Sequence, residues 1–362
     1  MEVFTFWQWL FVFGLWLLFF IRSKSQMTCI NKTNGVGFGE FILLGCCYSV
    51  FAFLTGDFFN YEELYNLAIL HGEENHFEPF YYWLIHVLPT NYYLWRAVVW
   101  GSAVIIAALI YRKTSPNFRQ CSFLFCLMVL PTFPNLRNNL GLVVLYYSVI
   151  IFLFSQRNFK TRIILLVLGI ICAYQLHKSM FMYIVIFGIA MLPTNKYFFI
   201  GSILGFPFIY KYVPLLSSLF LKDSFANEAS MASGQGYLDA GLSQIANFYG
   251  ILQVSIWRLP VLILIAYAIY HIYFKKYIIS YRFRVFLNYS YILLYMACLF
   301  YAQPVSEFFS SRFQDAVMLP LTIFLGYYLT VIHKSKIVKI SLYTLVLANL
   351  YDFSYSFYKY LL

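Results

Sequence analysis

Arg137, Arg312, His177 and Asp57 each stand in a short polar break between long apolar runs. Arg137 lies in Pro131-Thr-Phe-Pro-Asn-Leu-Arg-Asn-Asn-Leu-Gly141 and Arg312 in Ser310-Ser-Arg-Phe-Gln-Asp315. His177 lies in Gln175-Leu-His-Lys-Ser179, and Asp57 follows Thr55-Gly56 directly. Ionisable groups near lipid are costly, so they usually face a bundle interior or a watery cavity, and they mark function by default. Guanidinium forks match phosphate oxygens and stay charged at any working pH. A His or Asp at the same level can take the proton of an attacking hydroxyl. Cations that hold phosphate, beside a base, suit a lipid-linked phosphate substrate. The sequence has no DxD, no HExxH and no cysteine pair at ligand spacing, so neither a metal nor a cofactor is expected. The arginines themselves would then have to stabilise a diphosphate leaving group.

Bland readings compete with each of these. An outer arginine can snorkel to lipid phosphates. A lone histidine near a helix end is more often a satisfied structural residue, and His86, in an apolar stretch, is a weaker candidate than His177 beside Lys178 and Ser179. Glu62, Glu63, Glu73 and Glu74 read as a solvated loop, with Asp57 and Glu78 flanking it at the membrane surface. Arg96 and Arg258 are two further irregular charges within apolar runs, Arg96 about one turn from the outer end of its run.

The elements that must position these groups are membrane helices. The chain is 62% hydrophobic and 11% charged, far below the roughly 25% charged residues of soluble domains. The net charge of +11 comes from short basic clusters between apolar runs, which is the positive-inside pattern and argues against nucleic acid. The seven cysteines fall mostly inside apolar runs and read as small buried hydrophobes. Runs near 4–21, 37–55, 92–111, 120–136, 139–156, 162–177, 179–195, 197–214, 247–274, 285–303, 316–333 and 340–358 give about twelve spanning helices. The first run lacks a basic leader and a small-residue cleavage site, so it reads as a retained span. The segment near 78–90, bracketed by Pro79 and Pro89, is apolar but too short to span, and is expected to be re-entrant or interfacial. Its Tyr81, Tyr82 and Trp83 suit the headgroup level.

The fold class is therefore an all-α polytopic membrane protein, one integral domain over 1–362 with outer loops at 56–79 and 215–246. The gap holding Asp57, Glu62, Glu63, Glu73, Glu74 and Glu78 has no Lys or Arg. The clusters at Arg22/Lys24/Lys32, Arg112/Lys113/Arg119, Arg157/Lys160/Arg162, Lys275/Lys276/Arg282/Arg284 and Lys334/Lys336/Lys339 hold no carboxylate. With the basic clusters cytoplasmic, both termini and the gaps carrying Asp57, Arg137, His177 and Arg312 are expected outside.

An ordered set of motifs resembles the EpsG-like family of bacterial polysaccharide polymerases, related in role to the Wzy-type O-antigen polymerases. It comprises Gly56-Asp57-Phe-Phe-Asn-Tyr61, Glu78-Pro79-Phe-Tyr-Tyr, Asn91-Tyr92-Tyr93, Leu136-Arg137-Asn138-Asn139, Leu176-His177-Lys178-Ser179 and Ser311-Arg312-Phe313. Order and spacing agree over about 37–330. Arg137 is followed by Asn where Gln is usual in that family, His177 is preceded by Leu where Phe is usual, and Lys178 adds a charge. The resemblance implies a membrane-embedded, GT-C-like glycosyltransferase in the bacterial cytoplasmic (inner) membrane, with its site facing the periplasm or exterior. It implies a donor glycan on undecaprenyl diphosphate and a lipid-linked acceptor unit, with a chain-length regulator and a flippase as working partners. On that reading Arg137 and Arg312 bind the donor diphosphate and stabilise its departure. His177, or alternatively Asp57, activates the acceptor hydroxyl. Tyr61 and Glu78 shape the sugar site, and Asn138, Lys178 and Lys211 complete the substrate-binding set.

Two other classes compete. A transporter or flippase of lipid-linked oligosaccharides would need charges lining a path through the bilayer, whereas most irregular charges here cluster at one face, with only Arg96, Arg258 and Glu40 elsewhere. A membrane-bound acyltransferase would usually put its histidine within reach of a cytoplasmic acyl donor, and His177, His71 and His76 all fall outside on this topology.

Overall fold

The computed structural model describes residues 6–24, 26, 35–52, 62–63, 65–69, 79–87, 91–115, 117–131, 133, 139–224, 248–300, 307–331 and 335–361. Every regular element among them is helical. In chain order they are α1 (Phe6–Ser23), α2 (Phe38–Val50), α3 (Pro79–Val87), α4 (Tyr92–Thr114), α5 (Phe118–Met128), α6 (Asn139–Phe154), α7 (Phe159–Leu176), α8 (Met180–Ala190), α9 (Lys196–Ser224), α10 (Phe248–Ile269), α11 (Tyr281–Leu299), α12 (Glu307–Val331) and α13 (Lys336–Leu361). A π-helical turn, Tyr270–Phe274, continues α10. A helix thus lies on each of the twelve apolar runs and on the short segment near 78–90. Among the described residues, Phe6–Ser23, Tyr92–Thr114, Phe159–Leu176 and Trp257–Phe274 are long and apolar enough to cross a membrane.

Local sequence sets where several of these helices begin. Asn91, Asn117 and Asn158 are N-caps of α4, α5 and α7, and each side chain accepts a bond from a backbone N–H of the first turn. Asn195 does the same ahead of α9, taking the N–H of Tyr197 at 2.9 Å. An N-terminal turn leaves its first N–H groups without helical acceptors, and asparagine supplies one from its own side chain.

The chain divides into two compact units, residues 1–187, 322–335 and 349–362 in one and 188–321 and 336–348 in the other. In the first unit an aromatic ridge runs along α1, with Trp9, Phe13, Trp16 and Phe20 stacking in turn at three- or four-residue spacing. That ridge meets Phe353 and Phe357 of α13. Trp16 donates from its indole Nε1 to the Cys126 carbonyl at 3.2 Å, so the buried ring keeps a partner for its one polar atom. Helices α2, α4, α6 and α7 pack in that order, each on the next, and α3 packs on α7.

The second unit is built on α10, α11 and α9. Near the π-helical turn, Tyr273 donates to Asn288 Oδ1 at 2.6 Å and Asn288 Nδ2 donates to Thr194 Oγ1 at 2.8 Å. Thr194 Oγ1 lies 2.7 Å from the Tyr273 hydroxyl, which closes a three-membered ring of hydrogen bonds. Each group in the ring both donates and accepts, so the polar atoms stay satisfied away from water.

Two irregular charges find structural partners. Glu40, in the first turn of α2, makes an ion pair with Arg22 at the end of α1 at 2.6 Å. Arg96 is fully buried and serves main-chain carbonyls. Its Nε donates to Val50 O at 3.1 Å, its Nη2 to Ser49 O at 3.0 Å and its Nη1 to the Tyr92 hydroxyl at 3.1 Å. The guanidinium also lies 4.5 Å from the centre of the Trp100 ring.

Candidate active site

The site is built on helix ends of the first unit. Helix α6 opens at Asn139, directly after Arg137 and Asn138, and α7 closes at Leu176, directly before His177. These two ends are in close contact. A Cβ added at Gly141 would lie 3.3 Å from the Met180 side chain and 3.4 Å from the Ala173 carbonyl oxygen. The absence of a side chain there lets the first turn of α6 approach the last turn of α7 and the first residue of α8. Deeper along the same pair, a Cβ at Gly169 would sit 1.7 Å from Ser148 Oγ, a distance no real atom pair keeps. Small residues therefore set the closeness of α6 and α7, as they do in many membrane helix pairs.

His177 is the C-cap residue of α7, in an extended conformation, and is half-buried. Its backbone N–H donates to Ala173 O at 2.9 Å and its carbonyl accepts from Met180 N at 3.0 Å, so this one residue links α7 to α8. The ring is held by Ser179. The Ser179 backbone N–H donates to His177 Nδ1 at 3.2 Å, and the Ser179 hydroxyl lies 2.7 Å from the same nitrogen. Lys178, between them, is exposed.

Asn139 was not singled out by sequence reasoning, yet it ties the start of α6 to Phe133. Its side chain is buried and donates from Nδ2 to the carbonyl of Phe133, whose own ring is buried against Phe125. That bond fixes the residues on either side of 134–138 to one another. The sequence offered a faint signal, two consecutive asparagines after an arginine at a proline-marked break. Arg137, Asn138, Asp57, Tyr61 and Glu78 themselves lie outside the described residues. Their described neighbours are the ends of α2, α3 and α6, each in contact with another helix of this unit.

Arg312 and Lys211 belong to the second unit. Arg312 is half-buried on α12, and Phe313 beside it is buried and stacks on Phe300 with 5.7 Å between ring centres. Two residues further on, Gln314 Oε1 accepts from Arg258 Nε at 2.5 Å. Arg258, irregular by sequence but given no role there, thus tethers the segment that carries Arg312. Lys211 is exposed on α9. The short helix α3 modifies one expectation. Tyr81 is buried and faces Trp95 edge-on at 6.3 Å, while Trp83 is 57% exposed, so one member of the aromatic triplet packs inward instead of facing headgroups. His86 Nδ1 bonds the Tyr82 carbonyl at 2.9 Å within α3, a local structural contact.

The sequence model of the EpsG family matches residues 40–361. The chain belongs to the EpsG family. No curated protein and no solved structure matches it. Family membership points to membrane-bound polysaccharide biosynthesis by a glycosyltransferase-like polymerase, in keeping with the all-helical fold and its apolar helices. Among the described residues no group of three His, Cys, Asp or Glu side chains could hold a metal ion.

Proposed function

We propose that this EpsG-family protein joins lipid-linked oligosaccharide repeat units at the outer face of the bacterial cytoplasmic membrane, moving the growing glycan from undecaprenyl diphosphate to a lipid-linked acceptor. The observation that carries the reading is the family match over 40–361. The approach of the α6 start to the α7 end supports it, because these ends flank Arg137 and His177 and so bring the neighbourhoods of a phosphate-binding group and a proton-handling group together. In the proposed reaction the acceptor hydroxyl oxygen attacks the anomeric carbon of the donor. The carbon–oxygen bond to diphosphate breaks, the electron pair leaves with the diphosphate, and the hydroxyl proton passes to a base, for which Asp57 and His177 are the candidates. Arg137 and Arg312 counter the negative charge that builds on the leaving diphosphate. With twelve crossings, all of these groups fall on the outer side.

The test is a deletion strain complemented with wild type, Arg137→Ala or Arg312→Ala, read by electrophoresis of surface glycan. Loss of the ladder with retention of single repeat units is expected for the deletion and for both variants, while each variant still inserts in the membrane. A normal ladder from the deletion strain overturns the proposal, and a normal ladder from one variant removes that arginine from it.

A further inference from the structure

The turn Leu176-His177-Lys178-Ser179 constrains what the imidazole can do. A backbone N–H has a hydrogen to give and no lone pair to offer, so the Ser179 N–H can only donate, and His177 Nδ1 must be the acceptor. The Ser179 hydroxyl, 2.7 Å from the same nitrogen, is then a second donor to it. An imidazole whose Nδ1 lone pair is engaged in this way carries its hydrogen on Nε2 when neutral. Such a ring has no nitrogen ready to receive a proton from a hydroxyl. Nε2 already bears one, and freeing Nδ1 would require giving up both bonds from Ser179.

From this we infer that His177 acts as a hydrogen-bond donor through Nε2–H and not as the base, and that Ser179 is the positioning residue that fixes this tautomer. The inference rests on the polymerase reading for the identity of the reaction. Within that reaction the ring donates to an oxygen on which negative charge develops as the bond to diphosphate breaks, and it keeps its proton throughout. The hydroxyl proton then goes to a carboxylate, the role left to Asp57. Donors placed where charge develops are worth about 10²–10³ in rate when removed singly.

Two measurements on the full-length protein test this. The first is ¹⁵N NMR of histidine-labelled protein in lipid at neutral pH, with the His177 signals assigned by difference against His177→Asn. An unprotonated Nδ1 and a protonated Nε2 are expected, and the opposite tautomer or an imidazolium overturns the inference. This readout does not depend on what reaction the protein performs. The second compares His177→Asn with His177→Gln for glycan polymerisation in cells. Asparagine keeps an oxygen near the Nδ1 position to accept the Ser179 N–H, so the turn and the amount of folded protein should match wild type, but it has nothing at Nε2. Polymer should fall about 100-fold in the asparagine variant. Glutamine reaches the Nε2 position with an amide N–H and should restore a measurable part of it. Full activity in the asparagine variant means that the ring only caps α8, and the inference fails. If wild type itself makes no polymer, the polymerase reading fails while the tautomer result stands.

Discussion

Arg96 is wholly buried, and among the described residues its guanidinium donates to two carbonyls and a tyrosine hydroxyl. The reason lies in where α2 ends. The last carbonyls of a helix have no intrahelical donor and carry partial negative charge, and in a lipid environment they must be satisfied from within the protein. Arg96 serves two of them at once, which needs the fork of a guanidinium. Replacing Arg96 by alanine should therefore cost about 2–6 kcal/mol, because two buried carbonyls each lose a donor at about 1–3 kcal/mol. Lysine, with charge but no fork, should fall between alanine and wild type. Thermal unfolding of detergent-solubilised protein, followed by size exclusion, checks the order; a lysine variant as stable as wild type would show that charge alone suffices. The sequence did mark Arg96 as out of place, because a lone cation inside an apolar run is rare. It could not show the partners, since a main-chain carbonyl leaves no trace in residue type. The same holds at His177, where the residue was legible as a candidate but its tautomer depends on a backbone N–H two residues on.

At the scale of elements, the helices were readable and their mutual distances were not. Apolar run length located a helix at each of the twelve segments, and the run starting at 92 matches the start of α4, which Asn91 caps. The close approach of α6 and α7 was invisible, because Gly141 and Gly169 are unremarkable one at a time and acquire meaning only through what they face, Met180 and Ala173 for the first and Ser148 for the second. Gly169 gives the sharper test. An alanine methyl there would fall 1.7 Å from Ser148 Oγ and 2.4 Å from Ser148 Cβ. Helix backbones must separate to admit it, and overpacking of this kind costs typically about 1–3 kcal/mol or more. Gly169→Ala should lower the melting temperature and, by moving the α7 end away from the α6 start, reduce polymer as well. The double variant Gly169→Ala with Ser148→Gly removes the opposing side chain and should recover most of both losses, a coupling expected only of residues in contact. Additive effects in that pair would mean that the two helices are not held by this contact.

For the whole molecule, the distribution of charge over helix ends decides which face carries the chemistry. Helix α4 ends in Arg112 and Lys113, and α5 begins beyond Asn117 with Arg119. Arg157 in the turn from α6 to α7 and Lys160 and Arg162 in the first turn of α7 form one basic cluster, whereas α2 ends without a charge and α4 opens on an asparagine. Many large apolar side chains are exposed, Phe208 by 71%, Leu204 by 69% and Leu347 by 64% among them. Such exposure is natural toward lipid and would be a liability in water. If basic loops stay cytoplasmic, the 56–79 gap and the His177 turn share the opposite side, and a polymerase acting on outer-leaflet substrates has its groups where the substrates are. Reporter fusions at residue 66 and residue 160 separate the two possibilities cleanly. Alkaline phosphatase should be active at 66 and silent at 160, while a fluorescent protein that matures only in the cytoplasm should show the reverse. The opposite pattern would put His177 among cytoplasmic groups, where no outer-leaflet glycan can reach it, and the proposed reaction would lose its substrate even with the arginines and the histidine unchanged.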